Sequence, residues 1–114
     1  MKQDALQMSL LLDYYGELLS QKQRTCFDLY YNQDLSLSEI AAELGVSRQG
    51  VHELLARAEA TLGEFERVTG CIARDRRLES ALDTITQNAQ ALASVPGAAP
   101  QAGAILRAVR EIKE

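Results

Sequence analysis

Tryptophan is absent from this 114-residue sequence, histidine occurs once, and proline and cysteine occur twice each. Each shortage excludes something. His52, Cys26 and Cys71 form neither a CxxC pair nor a His/Cys cluster, so the sequence offers no zinc ligand set and no disulfide framework. The prolines, Pro96 and Pro100, leave everything before them free of a helix breaker. No apolar run is long enough for a membrane span or signal peptide: Ser9-Leu10-Leu11-Leu12 stops at Asp13. Strand-forming residues are also scarce, with 15 Val, Ile and Thr together against 33 Leu and Ala. These counts predict an all-α, cytoplasmic, soluble protein with reduced thiols and no contact with a membrane.

A surplus of positive charge is missing as well. Twelve basic side chains against sixteen acidic ones give a net charge of -4. Such a chain does not hold nucleic acid by bulk electrostatics, so any nucleic-acid contact has to be local.

Helical periodicity organises what is present. Leu6, Leu10, Leu11, Tyr14, Tyr15 and Leu18 follow a three-and-four spacing and predict a first helix over 5–19. Ser20 with Gln23 has the form of a capping box opening a second, short helix that ends in Asn32-Gln33-Asp34. Ser36 with Glu39 repeats the signal before Ile40, Ala41 and Leu44, and Gly45 is suited to the left-handed cap that ends that third helix. Ser47 caps a longer helix whose seam is Val51, Leu55, Ala58, Leu62 and Phe65. The seam loses register at Val68-Thr69-Gly70, which predicts a break. Leu78, Leu82, Ile85, Ala89 and Leu92 then resume the rhythm in a new phase.

Accordingly residues 1–69 are expected to form a helix-turn-helix domain with an N-terminal packing helix, and 70–93 a helical extension. Residues 94–103 are expected to be a flexible linker, and 104–114 a short terminal helix through Ile105, Val109 and Ile112. The Leu82, Ile85, Ala89, Leu92 stripe has little else to cover it, which predicts a homodimer through the C-terminal helices.

The most specific signal lies between Leu37 and Ala56. A helix-turn-helix needs a small residue where its helices cross, a glycine in the turn, and branched apolar residues clamping both helices to a core. Ala41, Gly45, Ile40, Leu44, Val46, Val51 and Leu54 or Leu55 meet these demands, although an ordinary αα-hairpin would meet many of them too. On such a unit the side chains facing a groove are Arg48, Gln49, His52, Glu53 and Ala56. Arg48 matches guanine and Gln49 adenine. From Ser20 to Leu62, however, four basic residues face six acidic ones, which weakens duplex binding.

A second basic feature is Arg67, Arg74, Arg76 and Arg77, interrupted only by Asp75. It reads either as a solvated helix face or as a contact for RNA phosphate or an acidic protein. The pairs Tyr14-Tyr15 and Tyr30-Tyr31 read as base-stacking platforms or, better, as one core ring and one edge ring each. No nucleophile with a base, no acid pair and no glycine-rich phosphate loop is evident, so no catalytic residue, metal or cofactor is assigned and an enzyme is not expected.

The run Leu19-Ser-Gln-Lys-Gln-Arg-Thr-Cys-Phe-Asp-Leu-Tyr-Tyr, with Leu35-Ser-Leu-Ser-Glu-Ile-Ala-Ala-Glu-Leu-Gly-Val-Ser-Arg-Gln-Gly-Val, resembles the promoter-binding helix-turn-helix of sigma factors. With Ser9-Leu-Leu-Leu-Asp-Tyr-Tyr-Gly-Glu-Leu-Leu ahead of it, the match is closer to the YlxM family of small bacterial proteins and covers the first two thirds of the chain. The resemblance implies a sigma-like fold and a role in the signal recognition particle pathway, through the particle's RNA, its protein subunit, or both. Arg48, Gln49, Arg57 and the arginines from Arg67 to Arg77 would supply the polar contacts, with His52 beside them. The chain departs from the sigma pattern where His52, Glu53 and Leu54 follow the valine, removing cations from the surface that meets DNA. A DNA-binding regulator and a protein-binding helical scaffold stand as the alternatives.

Overall fold

Ser20, Ser36 and Ser47 each stand in extended backbone immediately ahead of a helix, and each hydroxyl accepts the amide three residues on. At Ser20 and Ser36 the N3 side chain reaches back to the cap's own N–H, closing both expected capping boxes. The structure, a computed structural model, describes residues 4–114. Among these it contains α1 (Ala5–Tyr15), a 3-10 turn (Gly16–Leu18), α2 (Gln21–Tyr31), α3 (Leu37–Leu44), α4 (Arg48–Thr69), α5 (Cys71–Leu92) and α6 (Ala99–Lys113), and no strand. The expected all-α class and helix-turn-helix are present. The predicted break falls at Gly70, which takes the left-handed conformation at φ 63° and caps α4.

The chain divides into two compact units, the first closing at Ile72 and the second spanning Ala73–Glu114. In the first, α1, α2 and α3 pack around α4. Phe27, Ile40, Val51, Leu62 and Cys26 are fully buried at the centre, and Leu11, Tyr15, Tyr31, Leu55, Ala58 and Ile72 complete the core. Burial raises the Cys26 thiol above its ordinary pKa, as expected for a small apolar filler rather than a reactive group.

A polar network ties the ends of three helices together inside this unit. The Tyr15 hydroxyl donates to Glu66 Oε1 at 2.6 Å and lies 2.6 Å from Thr69 Oγ1. The same Glu66 oxygen accepts the Ile72 amide at 3.0 Å, satisfying a donor that the opening turn of α5 would otherwise leave without a helical partner. Burial first, and then the Glu66 hydrogen bond, pushes the Tyr15 phenol above its ordinary pKa.

The second unit is a helical hairpin. Leu82 and Ala89 of α5 and Ala102 and Val109 of α6 are its buried apolar residues. Lys113 Nζ meets Asp83 Oδ1 at 3.1 Å, bringing the end of α6 alongside α5. Here the structure corrects the sequence reading. The stretch expected as a linker over 94–103 is already helical from Ala99, so the final helix is longer than 104–114. The reason is positional: Pro100 sits in the first turn of α6, where a missing N–H costs nothing because that donor has no intrahelical partner.

Candidate nucleic-acid interface

A sharp corner between α3 and α4 requires one residue in left-handed backbone, and Gly45 supplies it at φ 68°, ψ 35°. Its N–H and that of Val46 both return to the Ala41 carbonyl, ending α3. Ser47 then caps α4, its Oγ accepting the Gly50 amide at 2.9 Å. Gly50 keeps this corner tight, since a Cβ there would lie 3.2 Å from the capping oxygen. The Glu39 carboxyl, held by the Ser36 N–H at 2.9 Å, lies below the usual carboxylate range.

With the corner fixed, burial sets which way α4 faces. Val51, Leu55, Ala58 and Leu62 turn into the core, so Gln49, Glu53 and Ala56 fall on the opposite face. Arg48, Gln49 and His52 are all exposed and gather in the first turns of α4. The opening turn of the second helix is therefore presented outward. Arg57 is exposed further along, next to the position of Glu53 one turn before it.

Arg67 is not part of this cluster: it lies near the other end of α4, roughly 28 Å along the axis from Arg48. Its guanidinium is forked onto Glu64, with Nε donating to Oε2 at 2.9 Å and a terminal nitrogen to Oε1. That contact lowers the Glu64 pKa and raises that of Arg67. Arg74, Arg76 and Arg77 are exposed on α5 in the second unit. Helical spacing puts Arg74 and Arg77 side by side and turns Arg76 to another face, so the three do not form one basic surface.

Sequence reasoning missed a groove beside the opening turns of α4. A hollow of about 150 Å³ is lined by Tyr30, Tyr31, Leu37, His52, Leu55 and Glu59, among others. Tyr31 is buried and donates its hydroxyl to Glu59, while Tyr30 is half-buried and meets the Tyr31 ring edge-on at 4.9 Å. Tyr15 is buried and Tyr14 exposed, so each pair divides into core ring and edge ring. A larger hollow of about 520 Å³ between α1 and α2 is lined by Asp13, Glu17 and Asp28 with Arg24 beside them, a wall whose net charge repels phosphate.

Among the described residues no group of three or more His, Cys, Asp or Glu is placed to hold a metal ion. No helix among them is long and apolar enough to cross a membrane.

Comparison with known proteins agrees with this geometry. The family model UPF0122, described as "Putative helix-turn-helix protein, YlxM / p13 like", matches residues 2–96. The chain is 47% identical over 85 residues to a UPF0122 protein of Thermoanaerobacter sp. (strain X514), covering 75% of this chain and 73% of that one. To a UPF0122 protein of Symbiobacterium thermophilum it is 44% identical over 84 residues, 74% of this chain and 78% of the relative. A UPF0122 protein of Clostridium kluyveri is 50% identical over 64 residues, 56% of this chain and 58% of its own length.

Proposed function

This chain belongs to the UPF0122 family of YlxM- and p13-like proteins, and we propose that it is a non-enzymatic accessory factor of the signal recognition particle pathway. In this reading it holds the particle's RNA through the start of α4. One observation carries the nucleic-acid assignment: the Ser47-capped opening of α4 stands clear of the core with Arg48, Gln49 and His52 exposed together. The particle as the source of that RNA, and its protein subunit as a further partner, rest on the resemblance of residues 9–51 to the YlxM family. The charge pattern suits a folded RNA met through a few groups. With four basic and six acidic residues from Ser20 to Leu62, the unit neutralises few phosphates. Arg57 adds a flanking cation, and Arg74 and Arg77 a separate basic pair in the second unit.

A DNA-binding regulator is the second reading, favoured by the helix-turn-helix itself, because Arg48 and Gln49 occupy positions from which such units read base edges. Anisotropy titrations of the full chain with the particle RNA and with duplex DNA separate the two. R48A/Q49A is expected to cost about 1–3 kcal/mol of RNA affinity with the helix content unchanged. R74A/R76A/R77A is expected to lower the salt slope by about one for each phosphate that those arginines neutralise in the wild type. Tight duplex binding that one base change abolishes, with RNA bound no better than a scrambled control, would replace the first reading with the second.

A further inference from the structure

The C-terminal hairpin buries one half of its apolar seam and leaves the other half bare. Along α5 the apolar positions alternate between Leu82 and Ala89, which are buried, and Leu78, Ile85 and Leu92, which are 48%, 44% and 44% exposed. Along α6 Ala102 and Val109 are buried, while Ile105 and Ile112 are 38% and 59% exposed. Every one of these sets repeats at seven residues, the spacing of a coiled-coil seam. The two bare edges lie on one side of the hairpin. Leu78 and Ile112 line the same hollow, and an antiparallel return places Ile105 across from Ile85 in the next layer.

From this half-covered seam we propose that the hairpin is half of a four-helix bundle, completed by the same face of a second copy of this chain. The face suits a second copy in three respects. First, it is self-complementary, Leu and Ile on both edges, as an isologous two-fold contact requires. Second, the positions flanking it along most of its length are small or uncharged, namely Ala81, Asn88, Gln101, Ala104 and Ala108, so helices approach closely and no charge selects an oppositely charged partner. The exceptions gather at one end: Arg74, Arg77 and Glu111 on the flanks, and Asp75, Glu79 and Lys113 around the hollow that Leu78 and Ile112 line. A two-fold axis through Ile85 sets that charged end against the uncharged turn over 93–98 of the other copy, where no like charge opposes it. Third, the unit has 42 residues with two alanines among its four buried apolar side chains, close to the size at which small folds depend on association.

The proposal is independent of what the start of α4 binds. Sedimentation equilibrium of the full chain, with no nucleic acid present, tests it. Wild type is expected at twice the 12.6 kDa chain mass at high micromolar concentration. I85E/I105E, changed at positions exposed in the single chain, is expected to weaken association by more than about tenfold with its helix content intact. Q87A, exposed on the far side of α5 from the bare edge, is expected to associate like wild type. Should I85E/I105E lose helix, L92Q at the last residue of α5 takes its place with the same expectation. A wild type that stays at 12.6 kDa, or a dimer indifferent to these bare-face substitutions, overturns the proposal.

Discussion

The two units of this chain solve opposite packing problems. The first surrounds α4 on enough sides that Phe27, Ile40, Val51 and Leu62 are completely buried, and what it leaves outside at the start of α4 is polar: Arg48, Gln49, His52 and Glu53. The second is a hairpin whose seam is closed on one side only, and what it leaves outside is apolar: Leu78, Ile85, Leu92, Ile105 and Ile112. The difference teaches where each unit can act. A core closed on itself frees its surface for polar recognition, whereas a half-closed core invites apolar association.

The largest expected effect sharpens this contrast directly. Ile40→Ala, at a fully buried position, should cost about 4–5 kcal/mol, while Leu82→Ala, beside an open seam that relaxes into the space, should cost about 2 kcal/mol. Denaturation with residue-resolved hydrogen exchange measures both, and equal losses would erase the distinction between the units.

Next in size is Tyr15→Phe, which removes the hydroxyl shared with Glu66 and Thr69 and should cost about 2 kcal/mol. Protection should fall at the junction of α4 and α5, and an unchanged stability would mean that the network holds nothing. A smaller effect of opposite sign is expected in the second unit. The Thr86 hydroxyl is buried without a hydrogen-bond partner, so Thr86→Val should stabilise by about 1 kcal/mol. A loss there would show that the hydroxyl has a role.

The smallest effect is a pH dependence at the Ser36 box. The Glu39 pKa is depressed in the folded chain, so the stability it contributes is present above the ordinary carboxylate value and is lost as pH falls through the depressed one. Carboxyl carbon shifts followed by NMR should show Glu39 titrating below the ordinary glutamate value. Titration at or above that value would mean that the box does not hold the carboxylate.

How much of this was legible beforehand follows from distance along the chain. Caps were legible because their chemistry spans three residues: Ser20 with Gln23, Ser36 with Glu39, Ser47 after Gly45, and the stop at Gly70. So was the outward start of α4, which follows from the spacing of Val51, Leu55, Ala58 and Leu62 alone. The start of α6 was misplaced because Pro100 signals a break anywhere except in a helix's first turn. That shortened helix hid the outcome for the α5 stripe, whose alternate members divide between burial and exposure only once α6 lies alongside. The Tyr15–Glu66–Ile72 network and the groove joining Tyr30 to His52 were not legible either. Both depend on side chains brought together from distant parts of the chain, for which local spacing carries no signal.

Everything proposed for the first unit turns on whether the capped start of α4 is the surface that meets nucleic acid. Amide chemical-shift mapping of the labelled full chain during titration with the particle RNA tests this most directly. The largest shifts are expected at Arg48, Gln49, His52 and Glu53, with the buried amides of Phe27 and Ile40 unmoved. Binding that leaves Arg48 through Glu53 unshifted and perturbs other residues instead would contradict it.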